Sequence, residues 1–211
     1  MTSETAIYTR LSANRSPAQN AELRGWAGLA ALSLAIAGIF ALLLAVSRIP
    51  GVEDALPLPL DFFDKGLVIH VVFSFVVWFQ AIFGCLLNVS TSRIAGGTPK
   101  MQTIGKLAMY GGYLSCVLLF VPAFMDRGEA TLNNYIPAIT DPLYYAGLVV
   151  LATALGLMIL RLLVNISGSQ GRWKEPLPFG TLCGSLIFSV AMISFAITAG
   201  TLQGEELSYE F

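Results

Sequence analysis

Apolar runs separated by short polar segments dominate this chain of 211 residues. Five runs are long enough to cross a membrane as helices, and they occupy residues 26–47, 66–88, 107–124, 143–163 and 177–199. A helix rises about 1.5 Å per residue, so a hydrocarbon core about 30 Å thick takes roughly 20 residues. The pattern therefore predicts an all-α polytopic membrane protein with five transmembrane helices.

Composition supports this class of protein. Hydrophobic residues make up 55% of the chain, charged residues only 12%, and the mean hydropathy is +0.72. A soluble domain of this length could not bury so much apolar surface, so we expect lipid around it. The net charge of −1 offers no basic surface, and we therefore expect no binding to nucleic acid.

Basic residues in the loops predict the orientation. One side of the predicted bundle carries nine Lys and Arg residues and the other carries three. The nine are Arg10, Arg15, Arg24, Arg93, Lys100, Lys106, Arg161, Arg172 and Lys174, and the three are Arg48, Lys65 and Arg127. By the positive-inside rule the N-terminus is cytoplasmic and the C-terminus lies outside, as in a protein of a bacterial inner membrane. The chain then divides into a polar cytoplasmic tail (1–25), a five-helix transmembrane domain (26–199) and an acidic outer tail (200–211).

Polar and small residues inside the spans mostly suggest packing. Gly111 and Gly112 would let a neighbouring helix approach closely, an interpretation we favour over contact with a flat cofactor. Arg161, at the cytoplasmic end of the fourth span, is interpreted as a residue that extends its charge to the membrane surface. Three cysteines in separate spans lack ligand-like spacing and are interpreted as buried thiols: Cys85, Cys116 and Cys183.

The one histidine of the chain, His70, lies inside the second apolar run. At membrane depth an imidazole needs a hydrogen-bond partner, a cavity or a metal. Helical spacing places it on a face of mostly small residues with room for a planar ligand: Ser74, Val77, Ala81 and Gly84. Two interpretations stay open, in which the ring either ligates a metal or hydrogen-bonds Ser74, Gln80 or a carbonyl and joins helices.

The segment Gly66-Leu-Val-Ile-His70-Val-Val-Phe-Ser-Phe-Val-Val-Trp-Phe-Gln-Ala-Ile-Phe-Gly84 resembles helix II of subunit I of the heme-copper terminal oxidases, nearer the ba3 and cbb3 branches. Residues 133–142 also resemble an outer loop of that family. The resemblance implies that His70 is an axial ligand of a low-spin heme b, close to the outer end of an inward-running helix. The start of the predicted span puts it about four residues, or roughly 6 Å, from that end.

The chain departs from the family in its ligands. In that family the other heme ligands and three copper-binding histidines come from later helices that have no counterpart here. A chain with one histidine cannot bind copper through three or build the oxygen-reducing centre, so we expect no copper site in it and no catalysis by this chain alone. The resemblance thus implies the N-terminal portion of a split or truncated subunit I. It further implies a partner membrane subunit that carries the remaining heme and copper ligands, and an electron donor such as cytochrome c at the outer face.

Other interpretations remain. Met125 and Met192 lie at a depth compatible with a second axial ligand, although apolar packing is favoured, while Met109 and Met158 lie toward the cytoplasm. The alternative function is a heme-free accessory, assembly or scaffold subunit in which His70 is structural. A small transporter has less support, because no acidic residue falls within a predicted span.

Overall fold

The computed structural model describes residues 15–52, 62–132 and 137–201, with side chains up to residue 197. Within this part of the chain, five helices are long and apolar enough to cross a membrane, which confirms the all-α polytopic class. They are α1 (Pro17–Ser47), α2 (Phe62–Ala95), α3 (Gln102–Phe124), α4 (Pro142–Ile166) and α5 (Pro176–Thr201). Residues 1–14 and 202–211 of the two expected tails, and residues 133–136 of the outer loop, lie outside the described residues.

Helix α1 begins at Pro17, nine residues before the predicted span. Ser16 caps it, since its side chain accepts from the Gln19 amide while the Gln19 side chain accepts from the Ser16 amide. Glu22 therefore lies inside α1 and is buried. The prediction that no acidic residue lies within a span was wrong. The polar residues in the first turns of α1 lie on the same buried face of that helix as Trp26.

Helix α2 contains a π-helical turn. It consists of an α-helical part (Phe62–Val71), a π turn (Val72–Val77) and a second α-helical part (Trp78–Ala95). It ends at Gly96, whose φ of 65° lies in the left-handed region that glycine adopts readily. Arg172 donates to the carbonyls of Ile94 and Ala95 and so stabilises this helix end.

Glycines bring the first four helices together. A Cβ at Gly112 of α3 would lie 2.9 Å from Leu29 of α1, and one at Gly147 of α4 would lie 2.9 Å from Leu119 of α3. Real Cβ contacts are not this short, so side chains at these positions would separate the helices. The packing interpretation of Gly112 is confirmed.

Helix α5 is peripheral. It packs on the second part of α2 through a hydrogen bond of 2.7 Å between Ser90 and Thr181 and through the rings of Phe83 and Phe188, whose centroids lie 6.0 Å apart. Only 11% of the apolar 18-residue stretch of this helix is buried in the bundle. Cys183 is exposed on this helix, so the expectation of a buried thiol was wrong for it, whereas Cys116 is buried and Cys85 is half-buried.

The loop between α3 and α4 holds together the end of the bundle that the charge pattern predicts to face outward. β1 (Ala130–Thr131) and β2 (Ala138–Ile139) pair antiparallel. Asp141 caps α4 by accepting from the Leu143 amide and pairs with Arg127 at 2.8 Å. The buried Lys65 of α2 donates to the carbonyls of Met125 and Arg127. These contacts connect the first part of α2 to the end of α3.

Single cysteines in two exposed loops should test the predicted orientation. Thr98 follows α2 and Asp126 follows α3, and both are exposed. If the basic side is cytoplasmic, a membrane-impermeant maleimide added to intact cells should label Asp126→Cys and leave Thr98→Cys unlabelled until the cells are lysed. The wild-type chain, with its cysteines in the spans, is the blank. Labelling of Thr98→Cys in intact cells would reverse the orientation.

Candidate functional site at His70

His70 lies in the last turn of the first part of α2, directly before the π turn. Its ring is half-buried, and Nδ1 lies 2.9 Å from the carbonyl oxygen of Ala37 on α1. Because α2 begins at Phe62, His70 is eight residues, or roughly 12 Å, from the outer end of the helix. The expected distance of about 6 Å was too short, since the polar residues before the apolar run are also helical.

The bond to Ala37 determines which ring nitrogen carries the proton. A carbonyl oxygen can only accept, so Nδ1 must be the donor. In the neutral ring Nε2 then has a free lone pair, and no described residue hydrogen-bonds it. Histidines that ligate metals commonly donate their other ring nitrogen to a carbonyl or carboxylate in this way. The geometry therefore suits both a metal ligand and a helix-joining hydrogen bond.

The face expected behind His70 is not available to a planar ligand. Val77, Ala81 and Gly84 are buried against the bundle, while His70 and Ser74 are only half-buried. A Cβ at Gly84 would lie 2.5 Å from the indole of Trp26, so that indole already occupies the space beside the small residue. The expectation of free space along this face was wrong. A ligand would have to approach His70 from the edge where its Nε2 lies.

A heme iron needs one free nitrogen from this chain, and His70 Nε2 fits that requirement. No cluster of three or more metal-binding side chains occurs among the described residues. The sulfur of Met109 packs at Gly25, and Met158 is fully buried in the core, as expected for packing residues. Met192 lies on the peripheral α5, and Met125 in the outer turn after α3. His70 thus has one nitrogen available to a ligand, and no second iron ligand is identified among the described residues.

A second polar cluster lies toward the helix ends that the charge pattern predicts to be cytoplasmic. Arg161 of α4 donates to both carboxylate oxygens of Glu22 on α1, at 2.6 and 2.8 Å, and the two side chains are 1% and 2% exposed. Gly105 of α3 makes room for them, since a Cβ there would lie within 2.7 Å of both side chains. The interpretation of Arg161 as surface-seeking was wrong, because a carboxylate inside the bundle neutralises it.

Two asparagines complete this cluster. Asn165 accepts from the Lys100 amide at 2.9 Å and donates to the Arg161 carbonyl at 2.7 Å. Asn88 of α2 accepts from Arg15, whose pKa is lowered by burial while the Glu22 carboxylate acts in the opposite direction. Sequence reasoning missed these contacts. The sequence does contain a pattern that predicts this cluster. Gln19, Glu22 and Trp26 are spaced to lie on one face of a helix that begins before the apolar run.

The fold and the site define a polytopic α-helical membrane protein with one half-buried histidine whose Nε2 is free. No family model and no solved structure matches the chain. The chain is similar to an uncharacterized protein of Aquifex aeolicus (strain VF5), with 31% identity over 126 residues. This segment covers 58% of the present chain and 29% of that relative, so the chain matches less than a third of the relative's length.

Proposed function

We propose that the protein is a membrane subunit of a respiratory electron-transfer complex of the heme-copper oxidase type, and that His70 Nε2 is an axial ligand of a low-spin heme b. The observation that carries the proposal is the hydrogen bond from Nδ1 to the Ala37 carbonyl. This bond selects the tautomer that ligates through Nε2 and restricts the ring orientation. The resemblance of residues 66–84 to helix II of that family supports the same assignment.

In this proposal the protein holds and tunes the group, while the heme when bound supplies one-electron transfer. The Ala37 carbonyl increases the electron density of the imidazole through Nδ1–H, which favours the oxidised iron. The fully buried Val72 and Phe73 on the following turn exclude water from the bundle side of the site. A dry surrounding of this kind also sets the reduction potential.

The remaining chemistry falls to partners. Because its one histidine is assigned to the low-spin heme, this chain has none left for copper or for a high-spin heme. A partner membrane subunit would supply those ligands, and an outer-face donor such as cytochrome c would supply electrons. A bacterial inner membrane is the proposed location. Isolation in mild detergent together with a larger histidine-containing membrane subunit would support this arrangement.

Two substitutions of His70 should test the assignment. In His70→Ala and His70→Asn we expect loss of the narrow α-band of the reduced low-spin heme, because neither side chain is an effective iron ligand. The measurement is the reduced-minus-oxidised spectrum of the purified complex. Gln80→Ala, which changes a half-buried polar residue on the same helix, is the control and should keep the band.

The second candidate function, a heme-free accessory or scaffold subunit, rests on the same hydrogen bond. An asparagine amide can donate to the Ala37 carbonyl but ligates heme iron poorly. If His70→Asn keeps the wild-type spectrum and electron-transfer rate, or if the wild-type complex is colourless, His70 is structural and the scaffold function replaces the proposed one.

A further inference from the structure

The hydroxyl of Ser74 lies at the junction between the first α-helical part of α2 and the π turn. It donates to the carbonyl of His70 at 2.7 Å and to that of Val71 at 3.2 Å. At this junction the backbone changes from the i→i+4 hydrogen bonds of an α-helix to the i→i+5 bonds of a π-helix. The Ser74 hydroxyl thus connects the π turn to the last turn of the preceding α-helical part.

The π turn changes the direction in which His70 points. Successive residues of an α-helix are about 100° apart, and a π turn accommodates one extra residue. In a straight helix His70 would share the buried face of Val77, Ala81 and Gly84, which α1 covers with Trp26. The extra residue moves the ring to the edge of that face. There Nδ1 meets the Ala37 carbonyl and Nε2 points away from that bond.

We infer that Ser74 is a positioning residue for His70, which acts by holding the π turn that sets the ring direction and the tautomer. The inference rests on the proposed function only for the last step, in which Nε2 meets iron. The tautomer itself is a property of this chain and can be measured separately. Single π turns inside α-helices occur frequently at functional sites.

The single histidine makes the tautomer accessible to a direct measurement. When only this chain carries ¹⁵N-histidine and no histidine tag, and any partner subunit is unlabelled, every labelled imidazole signal comes from His70. In the neutral ring of the reduced complex we expect the proton on Nδ1, with or without iron on Nε2. Ser74→Ala should convert this single species into a mixture of ring environments. The reduced α-band should shift or weaken in the same variant.

Matched variants separate the hydroxyl from the shape of the side chain. Ser74→Thr keeps the hydroxyl and should retain the wild-type ¹⁵N spectrum and α-band. Valine has nearly the shape of threonine but no hydroxyl, so Ser74→Val should behave like Ser74→Ala. Ser189→Ala is the control. Its hydroxyl donates to the Ser185 carbonyl at 2.8 Å within α5, where the helix has no π turn, so its loss should change neither readout.

A deletion tests the π turn without any change of hydroxyl. Removing Val76 should convert the turn to regular helix and rotate His70 by about 100° relative to the second part of α2. We expect loss of the Nδ1 bond and of the α-band. The inference is overturned if Ser74→Ala and Ser74→Val keep both wild-type readouts, or if Ser74→Thr fails as they do. A colourless wild type whose tautomer still depends on Ser74 would refute the heme proposal and uphold the positioning role.

Discussion

Replacing Arg161 with alanine should lower the free energy of unfolding by about 3–5 kcal/mol, the range measured when one partner of a buried ion pair is removed. The variant would leave the Glu22 carboxylate, whose side chain is 2% exposed, inside the bundle without its cation. It would also remove the hydrogen bond that Arg161 Nε donates to the Lys100 carbonyl. Equilibrium unfolding of the purified protein in detergent measures the loss.

Two further variants show whether the loss comes from the unpaired charge. The double variant Glu22→Gln with Arg161→Met removes both charges and should be more stable than Arg161→Ala. Arg93→Ala is the matched control, since its pair with Glu175 is 3.8 Å long and both side chains are more than 40% exposed. We expect it to cost about 1 kcal/mol or less. Equal losses in Arg161→Ala and Arg93→Ala would contradict a buried, mutually neutralising pair.

Gly84→Ala should destabilise the contact of α1 with α2 by about 1–3 kcal/mol, the usual cost of an added methyl group in a packed interior. The new Cβ would lie 2.5 Å from two carbons of the Trp26 indole, a rigid ring that is fully buried and cannot bend away. The helices would have to separate or the indole would have to change rotamer. Thermal unfolding in the same detergent gives the magnitude.

The controls are helical glycines at which an added Cβ would meet no neighbouring atoms. A Cβ at Gly156 of α4 or at Gly38 of α1 meets nothing within 4 Å. Alanine there should be neutral or stabilising by about 0.5–1 kcal/mol, because it reduces the freedom of the unfolded chain. The sign of the effect should therefore differ between Gly84 and Gly156. A loss at Gly156 as large as that at Gly84 would mean that α4 has a close neighbour on its exposed face.

The sequence predicts only part of the candidate site. His70 stands out in the sequence because it is the one imidazole in an apolar run, and a carbonyl was among the partners considered. Which carbonyl it contacts depends on how α1 and α2 align. The alignment is set by pairs far apart in the chain, such as Trp26 with Gly84 and Gln19 with Ser92, and no local pattern contains them.

Helix ends and buried charges were predicted less well. The hydropathy pattern detects where a chain is apolar, so it placed the start of α1 at residue 26 and left Glu22 in a tail. The helix begins at Pro17 because local capping by Ser16 and Gln19 determines the start, and hydropathy does not detect a capping pattern. With Glu22 placed in a tail, Arg161 had no predicted partner and was interpreted as an isolated charge. Its partner lies 139 residues away in the sequence.

By itself the sequence determined the class of protein, the number of spanning helices and the candidate functional residue, His70. These follow from hydropathy and residue type, which act over one helix length. Only the tertiary structure decided the π turn, the free nitrogen of His70 and the neutralised pair of Glu22 with Arg161. The reason is physical: rotation of a side chain about a helix and compensation of a buried charge depend on the neighbouring helices, which the local sequence does not specify.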